Sequence, residues 1–254
     1  MGFGAITQYV DVAQIVLYMF WAFFAGLIIY LIRENKREGY PLETANGTVE
    51  GWPPAPRPKT YLLSDGSTVQ APNGKGIARN YSAEPANRFN GAPLEPVGDP
   101  LLAGVGPGAW AERMDHVEQT FEGAAKIVPL RTLADYAVAE LDRDPRGLAV
   151  IGTDGETGGT VVDLWVDTSE ATVRHLEVAV QLADGATRSV LLPINFCRIT
   201  RRGVRVGALY AAQFAGVPGT RDPQQIPMLE EEKIMAYWGA GLLFADDDRA
   251  EPLF

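Results

Sequence analysis

From Val12 to Ile32 the chain reads VAQIVLYMFWAFFAGLIIYLI, an apolar run without a charge in which Gln14 is the only strongly polar residue. At ~1.5 Å of rise per residue, about 20 such residues cross a ~30 Å hydrocarbon core, so the run predicts one membrane-spanning helix. Tyr9 and Tyr18 toward one end and Tyr30 at the other suit interfacial positions. Trp21, nearer the middle, suits packing on another helix or on a lipid-soluble group. Residues 1–11 hold no Lys or Arg, so the basic leader segment of a cleaved signal peptide is missing. The first positive charges, Arg33, Lys36 and Arg37, follow the span. By the positive-inside rule the N-terminus is then outside and the bulk of the chain cytoplasmic.

Past the span, RENKREG is expected to prolong the helix by one or two turns, with Gly39 a plausible stop and Pro41 forbidding continuation. Residues 41–110 are rich in Pro and Gly and read as an extended segment with short strands at Thr60–Leu63 and Thr68–Gln70. Trp52, Tyr61, Phe89 and Trp110 favour a segment laid over a large partner over a disordered tail. From about residue 125 short β runs alternate with turn signals. Strands are expected at Lys126–Leu130, Leu148–Gly152, Thr160–Asp167, Val173–Leu182, Arg188–Pro193, Cys197–Thr200 and Arg205–Val206. Asp184-Gly185 is a strong hairpin cue, and Asp154-Gly155 and Gly158-Gly159 are weaker ones. Many short strands at this spacing predict a small closed or nearly closed barrel. Residues 208–214 suit a short helix. After Pro227, MLEEEKIMAYWGAGLLF reads as an amphipathic helix with an acidic first turn, and Asp246 to Asp248 begin a frayed tail. The fold class is therefore a single transmembrane α-helix plus a mainly-β cytoplasmic domain with a C-terminal helix. Its expected parts are 1–11 (periplasmic), 12–32 (span), 33–110 (extended, packed on partners), 111–228 (barrel) and 229–254 (helix and acidic tail).

The formal net charge of -10 argues against a nucleic-acid partner. The one cysteine, Cys197, has no disulfide partner in the chain and reads as a small buried side chain. No phosphate-binding loop, dinucleotide fingerprint, His-Glu-x-x-His or Cys-x-x-Cys is present. His116 and His175 are too few for a metal site of the usual kind, and strand alternation puts His175 on a solvent- or partner-facing side. What remains is carboxylates. Alternation puts Val161, Asp163, Trp165 and Asp167 on one strand face and Val162, Leu164 and Val166 on the other. Glu170 follows across a turn that brings Asp167 and Glu170 toward Arg174. This is either a solvated, turn-capping acid cluster or a proton relay whose carboxyls hold raised pKa values. A membrane-bound hydrolase using Asp167 and Glu170 lacks a nucleophile or metal constellation.

Several blocks resemble the H subunit of the purple-bacterial photosynthetic reaction centre. They are RENKREGYPLE (Arg33 to Glu43), PRPKTYLL (Pro56 to Leu63), GDPLLAGVGPGAW (Gly98 to Trp110), VVDLWVD (Val161 to Asp167), RHLEV (Arg174 to Val178), LLPINFCRI (Leu191 to Ile199), AQFAGVP (Ala212 to Pro218) and LEEEKIMAYWGAGLLF (Leu229 to Phe244). The resemblance implies a cytoplasmic PRC-type β-barrel and an accessory subunit with no active site of its own, in the bacterial inner membrane. It implies L and M subunits as partners, with core antenna polypeptides and lipids around them. The bacteriochlorophyll, bacteriopheophytin, quinones, carotenoid and non-haem iron of the complex would be ligated by others. It implies that the chain stabilises the L/M core, shields the quinone region and helps deliver protons to the secondary quinone. By the same resemblance Glu170 is the carboxylate nearest that quinone, Asp167 the acid beside it, Arg174 a nearby base and Lys126 part of a matching KIVPL block. The histidine pair that some relatives carry just before that block is absent from FEGAAKIVPL. Glu122 stands in as the entrance acid, with Asp115, His116 or Glu118 as alternatives. The competing reading is a membrane-anchored PRC-barrel adaptor without pigment partners.

Overall fold

The computed structural model describes residues 4, 6–7, 11–39, 42–44, 47–49, 51–74, 80–89 and 91–249. Tyr9, Pro41 and residues 250–254 of the tail lie outside them. The apolar run forms α1 (Val12–Asn35). Asp11 caps it: its Oδ1 accepts from the Gln14 amide at 2.8 Å, and Gln14 Oε1 accepts from the Asp11 amide at 3.2 Å. This reciprocal box satisfies two donors that would otherwise be orphaned at a helix start. No α1 residue is buried. The helix ends less than one turn past Ile32, short of the one or two turns expected, because Lys36 and Arg37 turn away to bind carbonyls. Lys36 Nζ donates to Pro53 O at 2.6 Å, and Arg37 donates to Arg57 O at 2.9 Å and Ala71 O at 2.8 Å. Two of the three cations after the span are thus buried in protein. The same unit, residues 1–79 and 87–92, holds two hairpins: β1 (Leu42–Thr44) with β2 (Gly47–Val49), and β3 (Lys59–Leu62) with β4 (Thr68–Ala71).

The second unit, residues 80–86 and 93–254, begins with the pair β5 (Ala83–Pro85) and β6 (Leu94–Pro96). Its main sheet contains β7 (Ile127–Pro129), β8 (Ala149–Ile151), β9 (Thr157–Asp167), β10 (Thr172–Gln181), β11 (Thr187–Pro193), β12 (Cys197–Thr200) and β13 (Gly203–Val206). The order is β11-β10-β9-β8-β13-β12, with β7 also on β9. Among the described residues, β8 and β13 form the one parallel pair. A 3-10 turn, Ile194–Phe196, joins β11 to β12, which are not paired with each other. Three bulges bend the sheet, as bulges do. On β9, Glu177 pairs with Asp163 and Val178 with Val161, so Val162 is the extra residue. On β10 the extra residue is Arg174, between Val173 and His175. Against β8 it is Gly158.

The bulges correct two expectations. Val161 does not share a face with Asp163, Trp165 and Asp167, because the slip at Val162 turns it into the core, leaving Val162 exposed. Gly158-Gly159 is not a turn but the interior of β9. A Cβ on Gly158 would meet the Phe214 ring at 2.3 Å, and one on Gly159 would meet Ala179 O at 2.6 Å. Asp184-Gly185 and Asp154-Gly155 do form turns, with Gly185 and Gly155 at positive φ. The short helix expected over 208–214 is a 3-10 helix, Ala211–Gly216.

The C-terminal run forms α2 (Met228–Phe244). It is not amphipathic: Ala236 to Gly241 are all buried. One side rests on the sheet, where Trp238 Nε1 donates to Leu191 O at 2.9 Å and its ring lies 5.2 Å from that of Phe214. The other side meets a 3-10 turn, Gly106–Gly108. Small residues allow the double contact: a Cβ on Gly239 would lie 2.4 Å from Pro107 O, and one on Gly241 2.4 Å from Leu209 Cδ2. The tail is not frayed over Asp246–Arg249. Asp246 accepts from the Tyr210 hydroxyl, and Arg249 donates to Ala208 O and Gly241 O, both at 2.7 Å.

Candidate functional site

The acids gather where β9 turns into β10. Asp167 ends β9 and is 1% exposed. Its Oδ1 accepts from the amides of Ser169 (3.0 Å) and Glu170 (3.2 Å), the bonds by which an aspartate closes a turn. Ala171 completes the turn at φ 51, a left-handed conformation for a residue other than glycine. The other oxygen, Oδ2, is buried with no hydrogen bond among the described residues. The nearest cation is Lys126, whose Nζ lies 3.6 Å from it. Lys126 is fixed in place because its carbonyl accepts from both the amide (2.9 Å) and the hydroxyl (3.0 Å) of Thr168. Its Nζ also donates to Glu118 Oε1 at 3.2 Å. The Glu118 bond and the field of Asp167 hold the Lys126 ammonium above the ordinary lysine range, against its desolvation.

Of the residues singled out in the sequence, Lys126 and Asp167 meet directly. Glu170 is tied to Asp167 through its amide, while its carboxylate is exposed. Arg174 does not pair with Asp167 or Glu170. As the bulge residue of β10 it swings toward α2, and its guanidinium lies 3.5 Å from Glu231 Oε1. Glu122 is exposed at the tip of the 120–124 turn, with no hydrogen bond or ion pair to the other four among the described residues. Among the alternative entrance groups, Asp115 is taken by Arg221 at 2.5 Å, His116 is exposed, and Glu118 stands in the cluster. Asp163 is a structural ion-pair member. Arg131 donates to Asp163 Oδ2 at 2.8 Å and to Glu177 Oε2 at 2.5 Å, and Glu177 also accepts from Trp165 Nε1 at 3.1 Å.

The largest correction concerns His175. It is 1% exposed, not solvent- or partner-facing. Alternation does place it with Glu177 on one face of β10, but that position is enclosed, with Glu231 from the first turn of α2 reaching it. Its Nε2 lies 3.7 Å from Glu231 Oε1, and its Nδ1 has no hydrogen-bond partner among the described residues. Burial, then the nearby Arg174 charge, lowers its pKa to about 3, so the ring is neutral at physiological pH. Burial pushes the Glu231 carboxyl up from the usual range, against the pull of Arg174. The sequence reading passed over Glu231, since an acid in a helix's first turn has a sufficient explanation in the helix dipole. Cys197 is half-buried, and burial pushes its thiol to about 12, so it stays protonated. No group of three or more His, Cys, Asp and Glu among the described residues is placed to hold a metal ion.

An unburied apolar helix long enough to cross a membrane, followed by a bent seven-stranded sheet with acids at one turn, fits the class of membrane-anchored β-domain proteins. Two family comparisons make this specific. Residues 4–132 match the photosynthetic reaction centre H-chain N-terminal region, and residues 138–213 match the PRC-barrel domain. The chain belongs to the family of photosynthetic reaction-centre H chains, subunits that associate with other reaction-centre subunits in a membrane.

Proposed function

We propose that the chain caps the L and M subunits on the cytoplasmic face of the bacterial inner membrane, shields the quinone region from water and supplies carboxylates for proton delivery to the secondary quinone. In this reading the N-terminus is periplasmic, and α1 packs among partner helices, antenna polypeptides and lipids. Pigments, quinones and iron are held by the partners: α1 carries no histidine to ligate a pigment. The chain has no active site of its own. The large apolar side chains left exposed on α1, and on Trp52, Leu62 and Phe89 of the connecting segment, support extensive partner contact.

Asp167 carries the proton reading. A carboxylate oxygen buried without a hydrogen bond, with a lysine at 3.6 Å, keeps an open acceptor position for a proton or a water. Glu170, one turn away and exposed, would pass the proton to the partner-bound quinone, which takes two electrons and two protons to become quinol. In the purified complex Glu170→Gln should slow the second, proton-coupled electron transfer about 10-fold or more and leave primary charge separation intact. Flash spectroscopy showing an unchanged second transfer would remove Glu170 from the path.

A further inference from the structure

The chain carries a formal net charge of -10, yet four arginines, Arg198, Arg201, Arg202 and Arg205, fall within one short hairpin, β12–β13. All four are exposed, and none forms an ion pair or a side-chain hydrogen bond among the described residues. The hairpin is firmly built. Its inner face buries Val204 and Val206. At its tip Thr200 Oγ1 donates to Gly203 O at 2.7 Å and accepts from the Arg202 amide at 3.2 Å. Its outer face sets Arg198 directly opposite Arg205. Cβ atoms of residues so opposed are only about 5 Å apart, and like charges there repel. The loop before β8 brings a fifth cation, since Arg143 donates to Arg201 O at 3.0 Å. Of the acids in that loop, Asp144 is paired with Arg146 at 2.6 Å, and Asp142 pairs with none of the five. A cation on an edge strand guards against wrong pairing. That accounts for Arg198 on the outermost strand, β12. It does not account for Arg205 on β13, which has strands on both sides, or for the two arginines at the tip.

We propose that the β12–β13 hairpin is a docking surface for the phosphate groups of anionic phospholipid headgroups. Planar guanidiniums hold phosphate oxygens in pairs, and a phosphate between Arg198 and Arg205 removes their repulsion. A nucleic acid is the poorer occupant, because a chain of net charge -10 repels a long polyanion. A bilayer is the better one, because α1 is long enough to cross a membrane and keeps the whole chain at a lipid surface. Each guanidinium near an anionic leaflet strengthens attachment about fivefold. Acids more than ~8 Å from the hairpin are screened at physiological salt. The surface is separate from the acids of the β9–β10 turn and does not depend on proton delivery.

The test places the intact complex in lipid nanodiscs made of phosphatidylcholine alone or mixed with phosphatidylglycerol, and follows hydrogen exchange at the tip amides of Arg201 and Arg202. Exchange in the anionic discs should be at least about threefold slower at low salt. The difference should vanish at about 1 M salt, where the screening length falls to ~3 Å. Arg201→Glu with Arg202→Glu, both exposed and clear of the core, should abolish it. Arg201→Lys with Arg202→Lys should keep most of it, which separates charge from a local change of fold. Equal exchange in the two kinds of disc would overturn the proposal; equal protection in both that the Glu variant loses would assign the hairpin to an acidic protein face instead. Protection produced in phosphatidylcholine discs by inorganic phosphate alone would also overturn it, in favour of a free-anion site.

Discussion

The two long helices are both apolar, yet they meet opposite surroundings. α1 runs 24 residues with none buried and keeps Phe20, Trp21, Phe23 and Phe24 exposed. α2 runs 17 residues and is enclosed from Ala236 to Gly241. The difference lies in side-chain size. The Gly239, Ala240, Gly241 run lets α2 slide between the sheet and the Gly106–Gly108 turn, where one added Cβ would collide with backbone. α1 has one glycine, Gly26, with nothing within 4 Å of where its Cβ would be. Apolar composition says that a helix leaves water; the pattern of small residues says whether its own chain or a membrane receives it.

Three tests press on that contrast. Trp238→Ala in α2 opens a cavity beside Phe214 and should cost about 4 kcal/mol in the denaturant unfolding of the β domain. Trp21→Ala in α1 should leave the same transition unmoved, and equal losses would break the contrast. Phe23→Arg, near the middle of α1, should cost about 3 kcal/mol of insertion and shift the chain from the membrane to the soluble fraction. If the variant stays in the membrane pellet after alkaline extraction, α1 does not face lipid. The third concerns the enclosed ring beside the start of α2. His175 has a pKa of about 3 when folded and the ordinary 6.5 when unfolded. Below 6.5 the unfolded chain binds a proton that the folded one refuses. The stability is therefore complete above 6.5 and falls as pH drops toward 3, by about 2 kcal/mol between pH 6.5 and 5. His175→Leu should flatten this acid limb in stability measured against pH, and an unchanged limb would mean the ring is not enclosed.

Strand positions in the main sheet were legible because alternation and turn residues are local: Cys197–Thr200 is bounded as expected and the other expected strands differ by a few residues at their ends, while β1, β2, β5 and β6 were not expected. Faces were less legible. A bulge shifts parity by one residue, and nothing in VVDLWVD marks Val162 as the residue that slips. The pair Gly158-Gly159 signals backbone crowding as well as it signals a turn, and Phe214, far along the chain, decides between them. Within the site, Asp167 and Lys126 were each singled out by the resemblance, but their approach to 3.6 Å was not legible, since the sequence turned Asp167 toward Arg174. Glu231 and His175 could not be paired either, because their meeting depends on the start of α2 returning to β10. The clasp of Arg249 on the carbonyls of Ala208 and Gly241 is equally nonlocal, so an acidic tail reads as loose until its basic partner is placed.

The proposed function places a proton carrier in the buried acid at the β9–β10 turn. Proton uptake after the second flash, followed with a pH-indicator dye in complexes bearing Asp167→Asn, tests it most directly. Uptake at least about tenfold slower, with charge separation at the wild-type rate, is the predicted result. Uptake at the wild-type rate would leave Asp167 as a turn cap alone.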